Sequence, residues 1–127
     1  MGKKGKKIRV LIADDHTLFA AAVEAILGGD ERFDAVGIAC DGHDAIAQVL
    51  EKKPDVVLMD IAMPVLDGLE ATKRLRAEAP NLPVIILTGS NAPTDVDRAR
   101  RSGAAAYVTK DRIAGELIDA ILECVNE

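Results

Sequence analysis

Five short apolar runs alternate with five segments of helical periodicity along the chain, and this alternation constrains the fold more than any other feature. The runs are IRVLIA (8–13), DAVGIA (34–39), DVVLM (55–59), LPVIIL (82–87) and AAAYV (104–108). The longest are apolar on both faces, as parallel strands covered by helices on two sides must be. Phe19, Val23, Ile26 and Leu27 repeat at i, i+4, i+7 and i+8 between the first two runs. Ile46, Val49 and Leu50 form a shorter stripe, and Ala71, Leu75 and Ala79 another. The last segment carries Ile113, Leu117, Ala120, Ile121, Cys124 and Val125 on one helical face. Thr94 with Asp97 predicts a capping box, and Gly103 a helix stop. Five strands, each followed by a helix, in 127 residues predict one doubly wound α/β domain with a parallel sheet.

Composition sets the limits of that domain. Hydrophobic residues make up 49% of the chain and aromatics only 2%, so the core must be built from Ala, Val, Ile and Leu. The net charge of −5 argues against direct nucleic-acid contact by this domain. Lys3, Lys4, Lys6 and Lys7 crowd residues 1–7, which read as a disordered basic arm or an expression remnant, leaving 8–127 as the folded unit. The apolar stretch after the arm is cut short by Asp14 and Asp15, so it is no secretory signal, and no run approaches membrane-spanning length. Cys40 and Cys124 lack metal-ligand spacing and read as small buried hydrophobes. The expectation is a soluble cytoplasmic protein.

In such sheets the ligand site lies beyond the carboxyl ends of the strands. Asp14 and Asp15 fall at the end of the first predicted strand, Asp60 at the third, Thr88 at the fourth and Lys110 at the fifth. All are expected on one rim. Two unit charges about 4 Å apart interact by roughly 4 kcal/mol at an effective dielectric near 20. Three carboxylates therefore need a cationic partner. Lys110 supplies one charge and a hard divalent ion would supply two more; carboxylates, carbonyls and water suit Mg²⁺, and the expected cluster offers no imidazole or thiolate for zinc. With Mg²⁺ beside it, Asp60 is placed to act as a nucleophile in phosphoryl transfer, with Lys110 and the Thr88 hydroxyl available to phosphoryl oxygens.

ADDHTLF (13–19), LMDIAMPVLDG (58–68), ILTG (86–89) and GAAAYVTK (103–110) together resemble the receiver domains of two-component response regulators. The likeness extends over residues 8–126 and is most similar to the NarL/FixJ group, whose receivers precede a LuxR-type helix-turn-helix domain. The resemblance implies a flavodoxin-like, five-stranded parallel sheet of order 2-1-3-4-5 with helices on both faces. It implies Asp60 as phospho-acceptor, Asp15 as a direct Mg²⁺ ligand, Asp14 acting through water, and the main-chain carbonyl of Ala62 as a further ligand. Thr88 and Lys110 would hold the phosphoryl group, and Thr88 and Tyr107 would form the switch. A sensor histidine kinase or phosphotransfer protein would be the donor, and a phosphorylation-dependent homodimer is compatible with the pattern. The domain would modify itself rather than turn over a substrate, with transcription as its output. The group often carries a basic residue where Ala20 stands, Gly where Val65 stands, and Ala where Gly89 stands.

Two other functions compete. A Mg²⁺-dependent phosphohydrolase working through an aspartyl-phosphate commonly has a second acid two residues after its nucleophile, where this chain has Ala62. A flavodoxin-like cofactor module would want a Gly-rich phosphate loop after the first strand, where this chain has ADDH. A stand-alone receiver acting by protein–protein contact stays open beside the transcriptional reading. His16 reads as a structural or rim residue at the start of the first helix, His43 carries no signal, and Arg98, Arg100 and Arg101 read as a solvated helix end.

Overall fold

The computed structural model describes residues 6–89 and 92–125; Lys3 and Lys4 of the basic arm lie outside the described residues. The elements are β1 (Ile8–Ala13), α1 (Thr17–Gly28), β2 (Phe33–Ala39), α2 (Gly42–Lys52), β3 (Val56–Asp60), α3 (Gly68–Glu78), β4 (Val84–Thr88), α4 (Pro93–Arg101), β5 (Ala106–Thr109), a 3-10 turn (Lys110–Arg112) and α5 (Ile113–Val125). All strand pairings are parallel and the order is β2-β1-β3-β4-β5. This is the doubly wound parallel sheet expected from the alternation, in the flavodoxin-like order that the resemblance implied.

Successive strand residues point to opposite faces, and the core divides accordingly. Leu11, Val57, Met59, Val84 and Ile86 pack with Ala45 and Val49 of α2, Ala71 and Leu75 of α3 and Ala99 of α4. Val10, Ile12, Val56, Leu58, Ile85 and Leu87 pack on the other face with Val23 and Leu27 of α1 and Leu117 and Ile121 of α5. β3 and β4 are buried along their whole length, whereas the edge strands β2 and β5 are only partly covered. Central strands bury both faces, hence the uninterrupted apolar runs.

Several local expectations are corrected. Leu50 is 54% exposed; Ala45 and Val49 take the core positions of α2, whose start is set by the Asp41 side chain accepting the Asp44 N–H. Thr94 and Asp97 do not cap α4. Pro93 occupies its first turn, behind Ala92 at the N-cap, because the fixed φ of proline already suits that position. Gly103 does end that helix, with φ 95°. Cys40 is exposed in the loop after β2, and Cys124 is half-buried; both are free thiols. The last strand ends at Thr109, so Lys110 opens the 3-10 turn instead of closing the strand.

Candidate functional site

The carboxyl ends of β1 and β3 bring Asp14 and Asp60 into a buried position, 1% and 4% exposed, with Asp15 and His16 at the rim. β1 and β3 are direct neighbours, with Ala13 opposite Met59, so the residues that follow each emerge side by side. The loop after Asp60 folds back tightly. The Gly68 N–H donates to the Ile61 carbonyl at 2.9 Å, and a Cβ on Gly68 would collide with the Asp60 carbonyl oxygen. Only glycine allows the first turn of α3 so close to the strand end. Val65 in the same loop has φ 68°, a left-handed conformation costly for a β-branched residue. That is the position where the resembling group often carries Gly.

Lys110 reaches across from the far side of the sheet. Its Nζ lies 2.9 Å from Asp14 Oδ2 and 3.4 Å from Asp60 Oδ1. The first of these is an ion pair without hydrogen-bond alignment, since Asp14 Oδ2 has no hydrogen-bond partner; neither has Asp60 Oδ2, and both oxygens are buried. Asp14 Oδ1 accepts from the backbone N–H of His16 at 2.8 Å and lies 3.1 Å from the His16 ring Nδ1. Burial, and then the Asp14 charge, push the Asp60 carboxyl above the usual carboxylate range, while Lys110 and His16 pull it back. The cluster thus holds more negative charge than its cations neutralise.

Unpartnered, buried carboxylate oxygens among hard oxygen donors are what a small divalent cation would satisfy. Asp14, Asp15, His16 and Asp60 each offer a ligand atom, all within 4.8 Å of one another. The residues present fit such an ion.

Thr88 is buried at the end of β4, one residue beyond Leu87, which pairs with Asp60. It is therefore on the same rim. Tyr107 stands apart on β5, opposite Ile86 and already half-buried against the core on the α2–α4 side. It lines a groove of about 220 Å³ with Val96, Ala99, Arg100 and Ala104. Ala62 is exposed in the loop, two residues past Asp60, and His43 is exposed in the first turn of α2. Arg98, Arg100 and Arg101 are exposed at the end of α4, with Arg98 and Arg101 paired to Asp95 and Asp97 within that helix.

Sequence reasoning missed two participants. His16 contributes a ring nitrogen to the acidic cluster, a role its adjacency to Asp14 and Asp15 could have signalled. Phe19, read as part of the apolar stripe of α1, lies with its ring centroid 4.3 Å from Lys110 Nζ. No local pattern announces that contact.

A doubly wound five-stranded sheet with an acidic pocket and a lysine at its carboxyl rim is the arrangement of receiver-type signalling domains. The chain belongs to the response regulator receiver domain family, which matches residues 10–122. It is 41% identical over 115 residues to an uncharacterized transcriptional regulatory protein, YxjL, of Bacillus subtilis, covering 91% of this chain and 53% of that protein. It is 39% identical over 114 residues to the response regulator GacA of Pseudomonas aeruginosa, covering 90% and 53%. Among solved structures, the signal receiver domain of the putative response regulator NarL from Mycobacterium tuberculosis aligns with TM-score 0.89 at 32% identity, covering 94% of this chain and 97% of that one. The chain spans about half the length of these curated relatives. No helix among the described residues is long and apolar enough to cross a membrane.

Proposed function

We propose that Asp60 accepts a phosphoryl group and that residues 8–127 act as a phosphorylation-dependent switch. One observation carries this reading: Asp60 Oδ2 is buried and without a hydrogen-bond partner, beside Asp14, Asp15 and Lys110. An anionic oxygen left unsatisfied in that company is stored reactivity, since it gains partners only when a cation and a phosphoryl group arrive.

The donor would be a phosphohistidine on a sensor kinase or a phosphotransfer protein. An Asp60 oxygen attacks phosphorus, a P–O bond forms, the P–N bond breaks, and its electron pair remains on the donor imidazole. Mg²⁺, held by Asp15, Asp60 and the Ala62 carbonyl, with Asp14 acting through water, would supply positive charge toward the phosphoryl oxygens. The Lys110 ammonium, already against Asp60 Oδ1, pairs with a second oxygen, and the Thr88 hydroxyl hydrogen-bonds a third. Movement of Thr88 toward the phosphoryl group would open space for Tyr107. Its ring has the groove beside α4 to move in, a shift from half-buried to more buried rather than from solvent inward.

Because the matched relatives are regulators about twice as long, the switched surface would act on a DNA-binding domain elsewhere in a longer cytoplasmic protein. A stand-alone receiver, or one that pairs with a second copy on phosphorylation, is the second reading. The phosphohydrolase reading is weaker, as Ala62 provides no acid two residues past Asp60. Acetyl phosphate with Mg²⁺ should add one phosphoryl group, seen by intact-mass spectrometry and removed by hydroxylamine. Asp60→Asn should abolish it. Full-yield modification of that variant would assign the acceptor elsewhere.

A further inference from the structure

We infer that His16 turns the acidic rim into a mixed carboxylate–imidazole site that binds Zn²⁺ through His16 Nδ1 more tightly than it binds Mg²⁺. The inference rests on the metal-binding part of the reading above and adds a ligand and a selectivity to it. His16 Nδ1 lies 3.1 Å from Asp14 Oδ1, 3.5 Å from Asp15 Oδ1 and 3.7 Å from Asp60 Oδ2. Ligand atoms about 2.1 Å from a shared ion sit roughly 3 Å apart when adjacent and about 4.2 Å apart when opposite. The three His16 separations fall in that span, and the full set, spread over up to 4.8 Å, has to draw together by a few tenths of an ångström around an ion.

Asp60 Oδ2, on a side chain 5% exposed, faces the cluster with no hydrogen-bond partner. The nearest imidazole nitrogen is 3.7 Å away, too far to satisfy it but close enough to share an ion with it.

The backbone explains why the ring is there. His16 is the N-cap of α1 with φ −86° and ψ 99°, and its N–H is tied to Asp14 Oδ1, so the ring is anchored at its base. Its side chain is 63% exposed, so small rotations cost no core packing. Without metal, Nδ1 contacts Asp14 Oδ1 as a hydrogen-bond donor would. Ligation needs the other neutral tautomer. The proton on Nδ1 leaves to water, Nε2 takes one up, and the ring stays uncharged with its Nδ1 lone pair on the metal.

The selectivity follows from ligand type. Mg²⁺ prefers oxygen ligands and keeps its waters, so the imidazole adds little. Zn²⁺ stands higher in the affinity order of divalent ions and takes imidazole readily. Lys110 opposes both ions alike and does not discriminate between them.

The chain has only two histidines, His16 and His43, so the signals separate cleanly. Cys40 is an exposed thiol, so the untagged protein is used in a Cys40→Ser background. Titration calorimetry should give a Zn²⁺ Kd at least a hundredfold below that for Mg²⁺, with Mg²⁺ competing for the same site. His16→Gln should weaken Zn²⁺ by tenfold or more and leave Mg²⁺ within twofold; Asp15→Ala should weaken both. In ¹⁵N-labelled protein, Zn²⁺ should move the His16 Nδ1 resonance and leave His43 in place. An unmoved His16 ring, or a loss in His16→Gln that is equal for the two ions, overturns the inference while leaving a Mg²⁺ site intact. His16-dependent Zn²⁺ binding with no Mg²⁺ binding at all would support it and count against the phosphoryl-transfer reading instead.

Discussion

The Lys110 ammonium sits 4.3 Å from the centroid of the Phe19 ring. The same nitrogen contacts Asp14 and Asp60, so the ring face and the two carboxylates hold it from different sides. A long, flexible lysine is thereby kept at one place on the rim, with less rotamer entropy left to lose when it meets an anion.

Replacing Phe19 by Leu keeps an apolar side chain in α1 but removes the ring face. Urea unfolding should show a loss of about 1 kcal/mol, the size of a partly desolvated cation–π contact. Phe19→Tyr should lose less. Equal stability of the Leu variant and the parent would mean that the ring only fills space.

Asp60 makes a pH-dependent contribution of known sign. Its native pKa is raised, chiefly by burial and then by Asp14. Between the ordinary carboxylate value and the raised one, the native state holds this proton and the unfolded chain does not. The stabilisation from this residue is complete below the ordinary value and disappears as pH rises through the native one. At pH 7 without metal, Asp60→Asn should therefore be more stable than the parent, by about 1–3 kcal/mol for relief of an unsatisfied buried oxygen. The advantage should shrink as pH is lowered through the raised pKa. A constant difference across that range in chelator-containing melts would contradict the assignment.

Divalent metal should compensate the same charge. Mg²⁺ at 100 times its Kd adds about 2.7 kcal/mol to the native state. Thermal melts should register that gain in the parent and not in Asp15→Ala. An unchanged parent melting temperature at millimolar Mg²⁺ would remove the metal from the proposal.

Val65 is exposed and left-handed, at 79% exposure and φ 68°. A non-glycine residue there costs about 1–3 kcal/mol, and glycine returns about 0.5–1 of it through its more flexible unfolded state. Val65→Gly should stabilise the domain by about 1 kcal/mol in denaturant titrations. Destabilisation would show that the valine makes a contact worth more than its strain.

Gly68 tests the opposite case. Its missing Cβ leaves room for the Asp60 carbonyl. Gly68→Ala should lower stability by a few kcal/mol through the forced backbone shift, and should slow acetyl-phosphate labelling because the acceptor loop moves. Normal labelling with normal stability would mean that the loop accommodates a methyl group freely.

Much of this molecule was legible in its residues. Alternating buried runs and helical stripes are local, periodic signals, and they predicted five strands, five helices and the rim where the strand ends meet. Asp14, Asp15, Asp60, Thr88 and Lys110 could be placed there because each lies within two residues of the end of an apolar run. What required the tertiary structure was every relation across elements. Register and twist decide that Lys110 meets Asp14 more closely than Asp60, that Phe19 turns its ring toward that lysine, and that His16 Nδ1 comes within 3.7 Å of all three carboxylates. The exposure of Leu50 and Cys40 was likewise invisible, since periodicity marks which residues are apolar but not how far round a helix or past a strand the covering layer extends. The unpartnered Asp60 Oδ2 is the clearest instance. A sequence places the carboxylate, whereas only the packed arrangement of its neighbours determines which of its oxygens is left without a partner.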